Sequence, residues 1–318
     1  MLLSTVNRVN EGIDSDMNTA LGRRFKYNPK VGHMLRTGAL TVLVAALLLA
    51  GCGNPSEGAP PRESVALKGS DTMVPLVTPW AEEYMAANPG VEISVTGGGS
   101  GTGIAALING ATDICAASRE ISAEERKKAE ARGIKPLETT VARDGIAIVV
   151  NPSNPVAELS LEQLRKIYTG ATTKWGDDGG PDAAIVAYSR ETSSGTYVFF
   201  QEHVLKKEDY AANVRLMPAT SAIIQVVASD ANAIGYVGLG HAHEAEGRVK
   251  VVAVRMAEGQ PAVAASEKSV LDGSYPIARA LYFYTPEPPT PSVKRFMDHC
   301  LGATGQDTAR KAGFVPVK

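Results

Sequence analysis

No lysine closes the glycine-rich run Gly97-Gly98-Gly99-Ser100-Gly101-Thr102-Gly103, which rules out the phosphate loop of nucleotide hydrolases. Thr102 stands where a serine-hydrolase elbow around Ser100 needs a second glycine, so that motif is missing too. Histidine is scarce: of His33, His203, His241, His243 and His299, only His241-x-His243 forms a pair, in a Gly-containing stretch that reads as an exposed loop. No metal site is expected from so thin a set. The chain has no basic surplus, with a formal net charge of −2, and therefore no sign of a nucleic-acid face. No internal repeat is visible, and no apolar run is long enough to span a bilayer. Cysteine is limited to Cys52, Cys115 and Cys300. Cys115 lies in the strand-like Asp113-Ile-Cys-Ala-Ala117, and Cys300 on the helical stripe Val293, Phe296, Met297, Cys300, Leu301. Both are expected to be unpaired core thiols.

What is present begins with the glycine run itself. It joins the strand-like Val91–Val95 to a helix-like segment carrying Ile104, Leu107 and Ile108. Small residues there let backbone N–H groups and hydroxyls crowd a small ligand at a helix N-terminus, where unpartnered N–H groups favour an anion. A second hydroxyl-rich loop, Arg190-Glu-Thr-Ser-Ser-Gly-Thr196, also feeds an apolar helix. Two such loops suggest a cleft. Gly101-Thr-Gly-Ile-Ala-Ala106 also fits a loose dinucleotide pattern, with Glu120 or Glu124 downstream.

Export is the other strong signal. The apolar Leu40–Ala50 ends in Leu49-Ala50-Gly51-Cys52, which matches the bacterial lipobox. Residues 1–51 read as a signal region, with Met34 as a possible true start, and Cys52 as the lipidated mature N-terminus. Residues 52–64, with three prolines between Asn54 and Ser64, read as a flexible lipid-tethered stalk. The mature chain of 267 residues would carry 26 basic and 31 acidic side chains, a net of −5. That length favours two lobes.

Strands and helices alternate along the rest, which predicts an α/β fold. Val65–Leu67 is a strand, and Val77, Trp80, Ala81, Tyr84 and Met85 recur at helical spacing up to Asn88-Pro89-Gly90. Gly145–Val150 lacks polar alternation and reads as a strand buried on both sides. Ser160-Leu-Glu-Gln163 is a capping box opening a helix. Ile185–Tyr188, Ala233–Val237, Val249–Val254 and Leu281–Tyr284 are further strands, and Thr220 or Ser221 caps a helix bearing Ile223, Ile224 and Val227.

Four segments share one design, a strand followed by a small hydroxyl-rich turn: Gly69–Met73, Gly97–Gly103, Ala117-Ser-Arg119 and Arg190–Thr196. In open α/β sheets such strand ends meet at one ligand cleft. Arg190 could offer a charged fork, Thr72, Ser100, Ser194 and Thr196 hydroxyls, and Gly195 an N–H.

At these residues the chain resembles the phosphate-binding proteins of bacterial high-affinity phosphate ABC transporters. The resemblance rests on GSDTMVPL (69–76), GGGSGTGIAALINGATDI (97–114), ASREI (117–121), ARDGIAIVVNP (142–152), LSLEQLRKIYTG (159–170), RETSSGTYVFF (190–200), AIGYVGLG (233–240) and YPIARALYFYT (275–285). It implies a two-lobed Venus-flytrap fold of two mixed sheets flanked by helices, with two crossovers at the hinge. Lobe 1 would comprise 65–143 and 255–318, and lobe 2 residues 144–254. It also implies a non-enzymatic, extracytoplasmic monomer that passes inorganic phosphate to a membrane permease and its ATPase, with no cofactor, metal or nucleic acid.

Carried over by position, the phosphate contacts would be Ser70, Thr72, Met73, Ser100, Arg119, Arg190, Ser194, Gly195 and Thr196. Where the best-known members place Asp after Ala-Ser, this chain has Arg119. Asp71 or Glu191 is then the candidate acceptor for the proton of monohydrogen phosphate. The alternatives are a binder of sulfate, molybdate or a phosphonate, or a secreted phosphatase.

Overall fold

The computed structural model describes residues 63–317. The signal region, Cys52 and nearly all of the expected stalk lie outside the described residues. The elements in order are β1 (Glu63–Gly69), α1 (Val74–Ala87), β2 (Val91–Thr96), α2 (Ser100–Ile108), β3 (Ile114–Ala117), α3 (Ala123–Glu130) and the long β4 (Pro136–Val150). Then come β5 (Glu158–Ser160), α4 (Leu161–Tyr168), β6 (Val186–Arg190), α5 (Gly195–His203), β7 (Arg215–Met217), α6 (Thr220–Ser229), β8 (Ala233–Gly238) and α7 (Leu239–Glu244). The chain ends with β9 (Lys250–Arg255), α8 (Glu267–Leu271), β10 (Ala278–Pro286), α9 (Pro291–Leu301) and α10 (Ala303–Lys311).

Local sequence explains most of these boundaries. Ser160 and Gln163 form both hydrogen bonds of the expected capping box at the start of α4. A second box, Ser122 with Glu125, opens α3. α1 ends at Asn88, the residue before Pro89; the φ of −135° and ψ of 76° at Asn88 leave the helical region, which a following proline disfavours. The expected Thr220 or Ser221 cap is not observed. Thr220 is the first helical residue of α6, and its N-cap, Ala219, has no side chain to accept an N–H. The His241–His243 stretch is likewise not an exposed loop but helix α7, with His241 buried. Burial pulls the His241 pKa down, against the opposing charges of Asp71, Glu244 and Asp144.

The strands follow the order β2-β1-β3-β10-β4-β8-β6-β7, with β9 joined to β4 and β5. The two sheets expected from sequence are thus one continuous, mixed path. β1 pairs parallel with β2 and β3, and β6 pairs parallel with β7 and β8, whereas β10 is antiparallel to β3 and β4. β4 serves both ends of this path. Its Pro136–Gly145 half pairs with β10, and its Ile146–Val150 half with β8 and β9.

Separate cores form along the sheet. One gathers Leu67, Leu76, Trp80, Phe283, Phe296 and Phe314 around β1, β10, α1 and α9. Trp80 is wholly buried and donates its indole N–H to Gly305 O at 2.6 Å. Further along β4, period-2 alternation sends Ile146, Ile148 and Val150 into one core and Ala147 and Val149 into another. That two-sided burial is why Gly145–Val150 reads as an unbroken apolar run. Cys115 and Cys300 are both free and buried, and burial pushes both thiols up in pKa.

Candidate functional site

The site is assembled from chain reversals at the ends of β1, β3 and β6 and from the loop before α2. β1 closes on Gly69, whose φ of +147° and whose contact with Ala116 O, 2.1 Å from where a Cβ would stand, admit only glycine. Ser70 N then donates to Ala116 O, and a short 3-10 turn, Asp71–Met73, follows. In the glycine run, Gly103 approaches β1 so closely that a Cβ would lie 2.6 Å from Gly69 Cα. This lets α2 begin with Ser100 fully buried against the end of β1. Gly101 and Gly103 are therefore inside α2, not in a strand-to-helix turn, and the loose dinucleotide pattern has no matching structure.

Five of the small groups meet. Thr72 Oγ1 and Thr196 Oγ1 are 2.8 Å apart. Ser100 Oγ lies 3.2 Å from Ser118 Oγ and accepts from Ser118 N at 3.0 Å. Gly195, at the start of α5, faces this pair so tightly that a Cβ would come within 2.2 Å of Ser100 Oγ. Gly101 N donates to Ser193 O at 2.9 Å, tying the α2 and α5 loops together. Thr72, Ser100, Ser118 and Thr196 are all nearly inaccessible to solvent. Two helix N-termini and four hydroxyls therefore converge at one buried place, an arrangement suited to an oxyanion.

The other expected contacts have different surroundings. Ser194 caps α5, its Oγ accepting from Thr196 N at 3.2 Å. Ser70 is buried beneath the first turn. The Met73 side chain belongs to the core around β1, and its N–H donates to Ser70 O. Arg119 is not brought to the hydroxyls. Its guanidinium grips Glu125 through Nη1 and Nη2 at 2.9 and 2.7 Å and also donates to Glu120 O. Burial works to lower its pKa, but the Glu125 pair outweighs burial and raises it.

Arg190 is 2% exposed and heavily committed. Nη1 donates to Asp71 Oδ2 at 3.0 Å and to Thr220 Oγ1 at 2.6 Å, while Nη2 and Nε donate to Pro218 O and Met217 O. Burial draws its pKa down, partly countered by Asp71. The same Asp71 Oδ2 accepts from Thr220 N at 2.9 Å, so a carboxylate from the β1 turn caps α6 where Ala219 cannot. Glu191, the other acceptor candidate, is exposed.

A second pair lies beneath the cluster. Asp144 and Arg279 are almost completely buried, with Arg279 Nη2 2.8 Å from Asp144 Oδ2. Asp144 Oδ1 accepts from Leu239 N at the start of α7, and Arg279 Nη1 donates to Ser118 O. Gly238 admits the pair beside Thr72: a Cβ there would be 2.8 Å from Thr72 Cγ2 and 3.0 Å from Asp144 Oδ2. Ser118, Asp144, Thr220 and Arg279 were missed as site residues. The available signal for Arg279 was a lone charge in an apolar strand, Ile277-Ala-Arg-Ala-Leu281, whereas Asp144 follows Arg143 and does not stand out in this way.

Among the described residues, no cluster of His, Cys, Asp or Glu could hold a metal, and no helix is long and apolar enough to cross a membrane. A profile of the PBP superfamily domain matches residues 54–303. The chain is 34% identical over 266 residues to the phosphate-binding protein PstS of Pseudomonas aeruginosa, covering 78% of this chain and 81% of that one. It is 36% identical to the phosphate-binding protein PstS of Staphylococcus saprophyticus, covering 86% and 88%. A solved structure of a putative phosphate ABC transporter substrate-binding protein with bound phosphate, from Clostridium perfringens, is 35% identical with a TM-score of 0.73. That match covers 80% of this chain and all of the other.

Proposed function

The chain belongs to the phosphate-binding proteins of the PBP superfamily, and on that premise we propose that it captures inorganic phosphate outside the cytoplasm for an ABC permease. The observation that carries this reading is the convergence of Thr72, Ser100, Ser118 and Thr196 with the N-termini of α2 and α5. Phosphate seated there would receive hydroxyl and N–H donors without needing a metal. The site lacks a paired acid and base or an activated nucleophile, so it favours binding over catalysis.

Phosphate at Thr72, Ser100, Gly195 and Thr196 would replace the direct hydroxyl contacts seen between opposing walls. Arg190, held against Asp71, would contribute its positive field from the edge of the cluster. Both arginines of the site are already matched by an aspartate, so little net positive charge remains to attract a fully ionised oxyanion. Asp71 is the acceptor we assign to the proton of monohydrogen phosphate. Sulfate, with no proton to give, would face that carboxylate unpaired.

Residues 65–143 with 255–318 would form one lobe and 144–254 the other, closing about β4 and β10. Lipidation at Cys52 would hold the protein as a monomer at the membrane surface. Equilibrium dialysis of the full chain against radiolabelled phosphate tests the reading. One phosphate per chain, retained in the presence of chelator, supports it; no binding overturns it.

A further inference from the structure

A cavity of about 670 Å³ lies beside the hydroxyl cluster and shares no residue with it. Arg279 marks the boundary, since it lines the cavity and donates to Ser118 O of the cluster. The walls are the turn from β3 into α3, part of β10, and α5. Its volume is in the range of sites for small organic molecules. The cluster groups are buried and bonded to one another, so an occupant of the cavity is a second ligand and not an extension of the first.

We propose that this cavity is a separate binding site for a small organic monocation, an amine with an apolar body. The proposal is independent of what the hydroxyl cluster binds. The apolar part of such a ligand has a floor: Ile121, Phe199 and Tyr282 line the cavity and are otherwise buried. His203 stacks on the Phe199 ring at 3.8 Å, and its Nδ1 lies 3.0 Å from Phe199 O, which holds the two rings as one flat surface.

The charge of the wall selects the other part. Arg119 is gripped by Glu125 at 2.7 Å, and Arg279 by Asp144 at 2.8 Å. Glu120 and Glu202 are left over: both line the cavity from exposed positions, and neither forms an ion pair among the described residues. Glu120 accepts a long hydrogen bond from Tyr282 Oη, at 3.3 Å, and Glu202 reaches Arg119 through its field alone. The surplus charge is therefore negative and borders apolar rings. An ammonium group there gains a charge-assisted contact while its hydrocarbon leaves water. An organic anion would meet both carboxylates and no uncommitted arginine.

The test is calorimetry on the full chain with three probes of similar shape: 2-phenylethylammonium, 2-phenylethanol and phenylacetate. The ammonium should bind saturably, one per chain, and about tenfold more tightly than the alcohol, the ratio expected for one charge-assisted contact. Phenylacetate should not bind. Glu120→Gln combined with Glu202→Gln, both at exposed positions where substitution is mild, should erase the ratio. Inorganic phosphate should not displace the ammonium, and the expected result is the same whether or not phosphate binds. The site is refuted by no saturable binding, by equal binding of ammonium and alcohol, by a ratio that survives the double variant, or by displacement with phosphate.

Discussion

Two aspartate–arginine pairs lie within reach of the same hydroxyl cluster, and their surroundings differ. Asp144–Arg279 is sealed, with side chains 0% and 1% exposed, and ties β4 to β10 and to the start of α7. Asp71–Arg190 is more open on its acidic side, with Asp71 23% exposed, and links the β1 turn to β6 and α6. The sealed pair positions Ser118 from below and has no free path to a ligand. The open pair joins segments that would separate if the cleft opened. Similar chemistry thus gives a sealed structural tie in one place and a more open pair, to which we assign a ligand-side role, in the other.

The largest expected effect comes from breaking the sealed pair. Arg279→Met leaves Asp144 charged and alone in the interior, at a cost of about 3–5 kcal/mol, read as a fall in chemical-denaturation stability. A loss under about 1 kcal/mol would mean that water reaches Asp144 and the pair is not sealed. Breaking the open pair should act on ligand instead. Arg190→Ala should weaken phosphate binding by about 2–5 kcal/mol in calorimetry, because it removes a nearby positive charge and leaves Asp71 unpaired beside the anion. Unchanged affinity would remove Arg190 from the site.

Smaller effects sharpen the contrast. Gly195→Ala places a methyl 2.2 Å from Ser100 Oγ. It should cost about 1–3 kcal/mol, seen mainly in phosphate affinity because the neighbours it displaces are the hydroxyls we propose to bind phosphate. Ser160→Ala, remote from both pairs, should cost about 1 kcal/mol of stability by removing the α4 cap, with affinity untouched.

Acid should act weakly through Arg119–Glu125. Burial opposes ionisation of Glu125, but Arg119 and Ser122 hold its pKa below the usual carboxylate value. Its contribution is therefore full above the unfolded carboxylate pKa and is lost as pH falls through the lower folded value. Melting curves of the native chain and Glu125→Gln should converge on acidification; a difference that grows in acid would contradict this.

The comparison also shows where sequence patterns carry information. Gly145–Val150 is legible as a strand because both of its faces are apolar and buried. Its extension back to Pro136 is not, since Glu138, Thr139, Thr140 and Arg143 break the run and only pairing with β10 makes it extended. The hydroxyl loops are legible because small residues between a strand and a helix have few other uses. The direction of Arg119 is not, because it follows from Glu125, a capping-box residue whose second task lies in tertiary space. Asp144 and Arg279 stand 135 residues apart, and no local pattern pairs them.

The central claim is that hydroxyls and N–H groups at the strand ends bind phosphate, with aspartate-matched arginines excluding fully ionised oxyanions. Calorimetric titration of the metal-free, dialysed chain with phosphate, in the absence and presence of a large excess of sulfate, tests it most directly. The account predicts tight one-to-one phosphate binding that sulfate leaves unchanged. Equal binding of the two anions would contradict it.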